Sequence, residues 1–178
     1  RHPAADAPVV RRLRECGAIV IGKTNLHEFA FGTTSDETAF GPVRHPQDAS
    51  RSAGGSSGGA AAALAGGMCF GSVGTDTGGS IRIPAAACGI VGLKPTFGEI
   101  SCRGVVPLST TLDHVGPLAR SVGDAGLLFH AMKGGTVQGV APAGGRLSFG
   151  VLRPYFCERL EPGVPALFEK GNAAVRAA

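Results

Sequence analysis

The 178-residue chain is long enough for one domain with a real core and too short for two. With 43% hydrophobic and 17% charged residues it is not a disordered polymer, and its 29 glycines, crowded between Gly54 and Gly104 without a Gly-X-Y period, exclude collagen and simple linkers. The net charge of +4 comes from scattered basic residues beside one Tyr and no Trp, which argues against a nucleic-acid-binding face.

Ala7–Cys16 places Val9, Val10 and Leu13 on one helical face, with Asp6 as the expected N-cap and Gly17 as a left-handed C-cap. Ala18–Ile21 is a continuous apolar run and predicts a buried strand, so a helix followed by a strand suggests an α/β layout. Gly32–Ser52 has turn residues and no apolar period, and reads as a loop. From Ser56 to Leu64, serines and glycines give way to alanines, the pattern of a tight loop feeding a closely packed helix. Cys69–Val73 predicts a second buried strand that runs directly into Gly74–Ser80. The apolar stretch Ile83–Val91 has Pro84 at a helix start, and Gly92–Pro95 closes it. Ser121–Met132 predicts a helix capped by Ser121 with Asp124 at the third position. Leu147–Leu152 predicts a strand and Pro162–Ala177 a last helix. The five cysteines are odd in number and lack C-x-x-C spacing, which argues against a disulfide framework and a zinc site and fits a reducing, cytoplasmic setting. No signal peptide opens the chain, and the longest apolar run, Ala60–Ala65, is too short to span a bilayer.

Two serine-bearing, glycine-rich turns stand out, residues 54–59 and 75–80. A nucleophilic serine needs N–H donors aimed at the oxyanion that develops on its substrate, and a glycine turn supplies them without side chains in the way. Because the second turn follows a predicted strand, Ser80 is expected at the strand's carboxyl end, where α/β folds place ligands. Two other roles stay open on pattern alone. Such a turn also cradles phosphates, although neither a P-loop nor a clean G-x-G-x-x-G is present, and Ser56–Ser57 also suits a helix N-cap.

The strings GKTNLHEFAFG at 22–32, GGSSGG at 54–59, GTDTGGSIRIPAAACGIVGLKPT at 74–96 and LDHVGPLARSV at 112–122 together resemble the amidase-signature family, over about Gly17 to Met132, with further similarity from Leu147. The resemblance implies an α/β fold with a mixed sheet flanked by helices on both faces. It implies a single, partial amidase-signature domain over 1–178 with its motif core at 17–132. It also implies a Ser–cis-Ser–Lys mechanism of amide hydrolysis through a seryl acyl-enzyme, with no metal or organic cofactor. On that pattern Ser80 is the nucleophile, and Ser56 is the bridging serine after a cis bond at Gly55–Ser56. Ser57 supports their network, the amides of Thr77, Gly78, Gly79 and Ser80 form the oxyanion hole, and Asp76 and Arg82 brace the loop. The substrate expected is a small-molecule amide, with no membrane partner. Nucleic acid is expected only if the chain is instead a glutaminase of the A-type, working with partner subunits on charged transfer RNA. The resemblance also leaves room for a homo-oligomer.

In the family the lysine base lies on a strand upstream of these motifs. Lys23 and Lys94 fall in other parts of the matched strings, and Lys133 and Lys170 fall outside them. The base is therefore expected before Arg1, the chain is expected to be incomplete at both ends, and a catalytically idle fragment is a third reading. Asp113 and His114 could in principle join Ser80 in a Ser-His-Asp triad, a reading the resemblance disfavours. His27 and Glu28 are expected to cap or cover a helix, and Cys88 to be a buried small hydrophobe.

Overall fold

A computed structural model describes residues 3–135 and 148–177. The chain forms two compact units, Arg1–Ala141 and Pro142–Ala178.

In the first unit, helix α1 (Pro8–Glu15) buries Val9 and Leu13. Its N-cap is Ala7, not Asp6, and no side chain caps it. Pro8 occupies the first turn, where a missing N–H costs nothing, and the Asp6 carboxylate turns to Arg14 at 3.4 Å instead. Gly17 does close the helix with φ +84°. The apolar run Ala18–Ile21 is not a buried strand. It has no ladder partner among the described residues, and Ile19 and Ile21 are 87% and 73% exposed. An apolar run becomes a buried strand only where other strands take up its backbone groups. Within the expected loop 32–52, a short antiparallel pair forms between β1 (Arg44–His45) and β2 (Asp48–Ser52). Its polar sequence carries no apolar alternation by which to recognise it.

Helix α2 (Gly58–Ala65) packs through Ala60, Ala61 and Leu64. The second expected strand lies slightly later, as β3 (Gly71–Asp76). Helix α3 (Arg82–Cys88) follows and ends on a left-handed Gly89, and β4 (Val91–Gly92) is two residues long. The central strand β5 (His114–Ala119) was not expected, and the three strands pair antiparallel in the order β3–β5–β4. Pro117 is the reason the sequence hides it, because proline argues against a central strand. Pro117 pairs with Val73 across β3, and its carbonyl accepts from the Leu93 amide at 3.0 Å. The N–H it lacks therefore faces the short β4 side, and the β3–β5 ladder runs unbroken over six pairs.

Successive side chains of β5 alternate between two cores. Leu118 packs with Ile81, Cys88 and the α2 residues Ala60, Ala61 and Leu64, whereas Val115 packs with Val9, Leu13, Ala131 and Met132. Helices α2 and α3 thus lie on one face and α1 and α4 (Val122–Lys133) on the other, the α/β layering the sequence implied. Ser121 caps α4 as expected, its Oγ accepting from the Asp124 amide at 3.1 Å. The register partners Gly74 and Gly116 clear space on the α2–α3 face. A Cβ on Gly74 would come within 2.7 Å of Leu118 Cδ1 and 2.9 Å of Ser57 Oγ.

In the second unit, Leu147 lies outside the described residues. Residues 148–152, expected as the rest of a strand, are exposed and form none. Helix α5 (Val164–Ala177) begins two residues after the expected Pro162, and Arg153 pairs with Glu169 on it. Among the described residues no helix is long and apolar enough to cross a membrane.

Candidate active site

The two glycine-rich turns meet at the head of α2 and the carboxyl end of β3. Their junction is a backbone hydrogen bond in which the Ser57 amide donates to the Ser80 carbonyl at 3.2 Å. Ser56, Ser57 and Ser80 are all buried, with relative exposures of 1%, 8% and 8%.

Small residues shape the first turn. The Gly55–Ser56 bond is cis. The Ser56 carbonyl accepts from the His27 amide at 3.0 Å and from Ser35 Oγ at 3.2 Å. Ser35, fully buried, donates its own amide to His27 Nδ1 at 3.2 Å, which fixes that nitrogen as the acceptor of the ring. A Cβ on Gly55 would lie 2.8 Å from Ser35 Oγ, so the loop can pass only as glycine. Ser57 occupies the N-cap position of α2 but does not cap it. Its hydroxyl donates to the Thr75 carbonyl and accepts from the Thr75 amide, both at 3.3 Å, taking up the outer edge of β3.

The second turn is organised by charge. Asp76, fully buried, accepts from the amides of Ile81 and Arg82 at 3.1 and 3.3 Å, and from Arg82 Nε and Nη2 at 3.1 and 2.9 Å. Burial pushes its carboxyl up, but the Arg82 guanidinium and the two amides outweigh burial and hold it below the ordinary carboxylate range. Arg82 is raised in turn, chiefly by its hydrogen bonds to Asp76. Gly79, with φ +136°, carries the chain through a conformation that side chains avoid, and its carbonyl accepts from Ile83 at 2.7 Å. The amides of Gly78, Gly79 and Ser80 donate to no acceptor among the described residues.

Beside Ser56 and Ser57 lies a cavity of about 110 Å³ walled by Leu26, Val73, Val105 and Val115, with no charged residue in its lining. Within the first unit no lysine hydrogen-bonds to the serines among the described residues. Lys94 Nζ donates to the Pro95 carbonyl at 2.8 Å and sits 3.2 Å from His114 Nε2, Lys133 pairs with Glu99 at 2.7 Å, and Lys23 and Lys170 are exposed. A Ser80–His114–Asp113 triad is not assembled. His114 Nδ1 faces the carbonyls of Leu112 and Asp76 at 2.7 and 3.3 Å, while the Asp113 carboxylate holds Thr77 and the amides of Leu108 and Ser109. Cys88 is buried against the Ala53 carbonyl, and burial pushes its thiol up, out of the nucleophilic range. His27, Ser35 and Asn25, whose carbonyl accepts from Gly59 at 3.1 Å, are the supports that sequence reading missed. The only signal for them was their place in the string at 22–32 and its continuation.

The whole chain, residues 1–178, matches the model of the Amidase family. It is 53% identical over 132 residues to the A-type subunit of glutamyl-tRNA(Gln) amidotransferase from Syntrophobacter fumaroxidans, covering 74% of this chain and 27% of that protein. To the AtzE component of 1-carboxybiuret hydrolase from Pseudomonas sp. strain ADP it is 46% identical over 172 residues, covering 97% and 35%. The solved A-type subunit of glutamyl-tRNA(Gln) amidotransferase from Thermotoga maritima superposes with a TM-score of 0.71 at 48% identity, covering 72% of this chain and 28% of that one. The chain thus spans about a third of the length of the curated relatives it matches. A family match over the entire chain and a shared fold at 48% identity lead to one conclusion: the chain belongs to the Amidase family.

Proposed function

We propose that this chain carries the nucleophile and oxyanion site of a hydrolase that cleaves carboxylic amides to an acid and ammonia or an amine. The observation that carries the reading is the junction of the two turns, which holds buried Ser56 and Ser80 on either side of one backbone hydrogen bond. Ser80 Oγ attacks the amide carbonyl while Ser56 relays its proton. The oxyanion is received by the amides of Thr77, Gly78, Gly79 and Ser80, which need no reorganisation at that moment. The C–N bond then breaks with the relayed proton going to the leaving nitrogen, and water hydrolyses the acyl-enzyme. Ser57 holds its turn against β3, and Asp76 with Arg82 holds the Ser80 turn. Lys23, Lys94 and Lys133 make no hydrogen bond to Ser56, so the reading calls for a proton acceptor beyond Ser56 other than these three.

The relatives named as amidotransferase components favour a second reading, in which the amide is that of glutamine and the ammonia passes to a partner protein that works on charged transfer RNA. Acylation separates the two. The protein is incubated with a panel of small aliphatic and aromatic amides and with glutamine, and intact mass is followed by peptide mapping. Acyl groups on Ser80 from simple amides support the first reading, and acylation by glutamine alone supports the second. Acylation of another residue, or none, contradicts both.

A further inference from the structure

Asp113 takes no part in the chemistry proposed for Ser80, yet its carboxylate is fully engaged. Oδ1 accepts from Thr77 Oγ1 at 2.6 Å and from the Ser109 amide at 3.0 Å, and Oδ2 accepts from the Leu108 and Ser109 amides at 2.9 and 3.0 Å. Its own amide donates back to the Ser109 carbonyl at 3.0 Å, and its carbonyl receives Cys102 Sγ at 3.4 Å. The last register pair of the β3–β5 ladder is Asp76 with His114. Thr77 and Asp113 are the next residues beyond it, at the fork where β3 leaves for the Ser80 turn and β5 is entered from the loop 104–112. That loop supplies Val105 to the wall of the cavity beside Ser56. A charge-assisted O–H···O⁻ bond of this length is among the stronger side-chain bonds, and here it joins two segments that no ladder joins.

We propose that Asp113 is a positioning residue for the site, a carboxylate clamp that closes the β3–β5 fork and ties the Ser80 turn to the loop walling the cavity. This rests on Ser80 being the nucleophile only for its consequence in catalysis. The clamp itself is read by amide hydrogen exchange in the 178-residue chain. Asp113→Ala raises exchange about tenfold both at 81–83, whose amides are bonded across the Ser80 turn to Asp76 and Gly79, and at 108–109, with α4 unchanged. Thr77→Val, nearly isosteric but without the hydroxyl, raises exchange at 81–83 and leaves 108–109 protected, because Asp113 still holds those amides. Thr77→Ser, which keeps the hydroxyl, restores protection. Wild-type exchange in Thr77→Val, or a Thr77→Ser chain that exchanges like the valine variant, overturns the clamp even if Asp113→Ala does not fold. The consequence is read by fluorophosphonate labelling, which is slowed about tenfold at Ser80 in Asp113→Ala. Should Ser80 go unlabelled in the parent chain while the exchange pattern holds, it is the nucleophile reading that fails and the clamp that stands.

Discussion

The two serine turns are built by different physics. The turn at 54–59 is held by closeness: Gly54 passes Pro84, Gly55 and Gly58 pass Ser35, and Gly59 sits against the backbone of Asn25, each where a Cβ would intrude. The turn at 75–80 is held by charge, through Asp76 with Arg82 and Asp113 with Thr77, while Gly78 faces open space. A glycine-rich string therefore has two meanings. In the first turn glycine is required because nothing larger fits; in the second Gly78 leaves its amide bare, Gly79 supplies a φ that side chains avoid, and carboxylates do the holding.

Substitutions that exchange the two modes of support test this contrast. Gly59→Ala is expected to have the largest effect, because its Cβ would run into the Asn25 carbonyl oxygen and lie 2.8 Å from the Asn25 nitrogen. A loss of about 3 kcal/mol in denaturant unfolding is the expectation, and a near-neutral result would break the steric account of the first turn. Arg82→Ala follows at about 2 kcal/mol, a value discounted because the guanidinium is half exposed. This loss should depend on pH. Asp76 is held below its unfolded value, so its contribution is full above roughly pH 4 and disappears as pH falls through the lower folded value. The difference between wild type and Arg82→Ala should therefore narrow in acid, and a gap that widened there would contradict the charge account. Ser57→Ala comes next, at about 1 kcal/mol by thermal unfolding, since it strips the Thr75 amide and carbonyl of their partner at the edge of β3. Gly78→Ala should be the mildest, within about 0.5 kcal/mol, for its Cβ would meet nothing within 4 Å.

Much of the helical framework was legible in the sequence. The apolar face of α1, the Ser121 cap with Asp124 and the Gly17 stop are all local signals. The strands were harder to read, because a strand is completed by its neighbours. Ala18–Ile21 has the composition of a buried strand but finds no ladder among the described residues, while β5 carries a proline and forms the centre of the sheet. The two glycine strings marked where to look for the site. Nothing local told that Ser57 and Ser80 would share a hydrogen bond, or that Ser35, His27 and Asn25 would shore up the first turn from outside the two glycine strings. Those contacts join residues 21 to 34 positions apart, beyond the reach of any period or motif.

The most direct measurement is covalent labelling of the 178-residue chain by a fluorophosphonate, with the adduct located by peptide mass mapping. The account predicts phosphonylation at Ser80, with loss of fluoride, and no adduct in Ser80→Ala. Labelling at Ser56, Ser57 or any other residue, or an adduct that persists in Ser80→Ala, would contradict it.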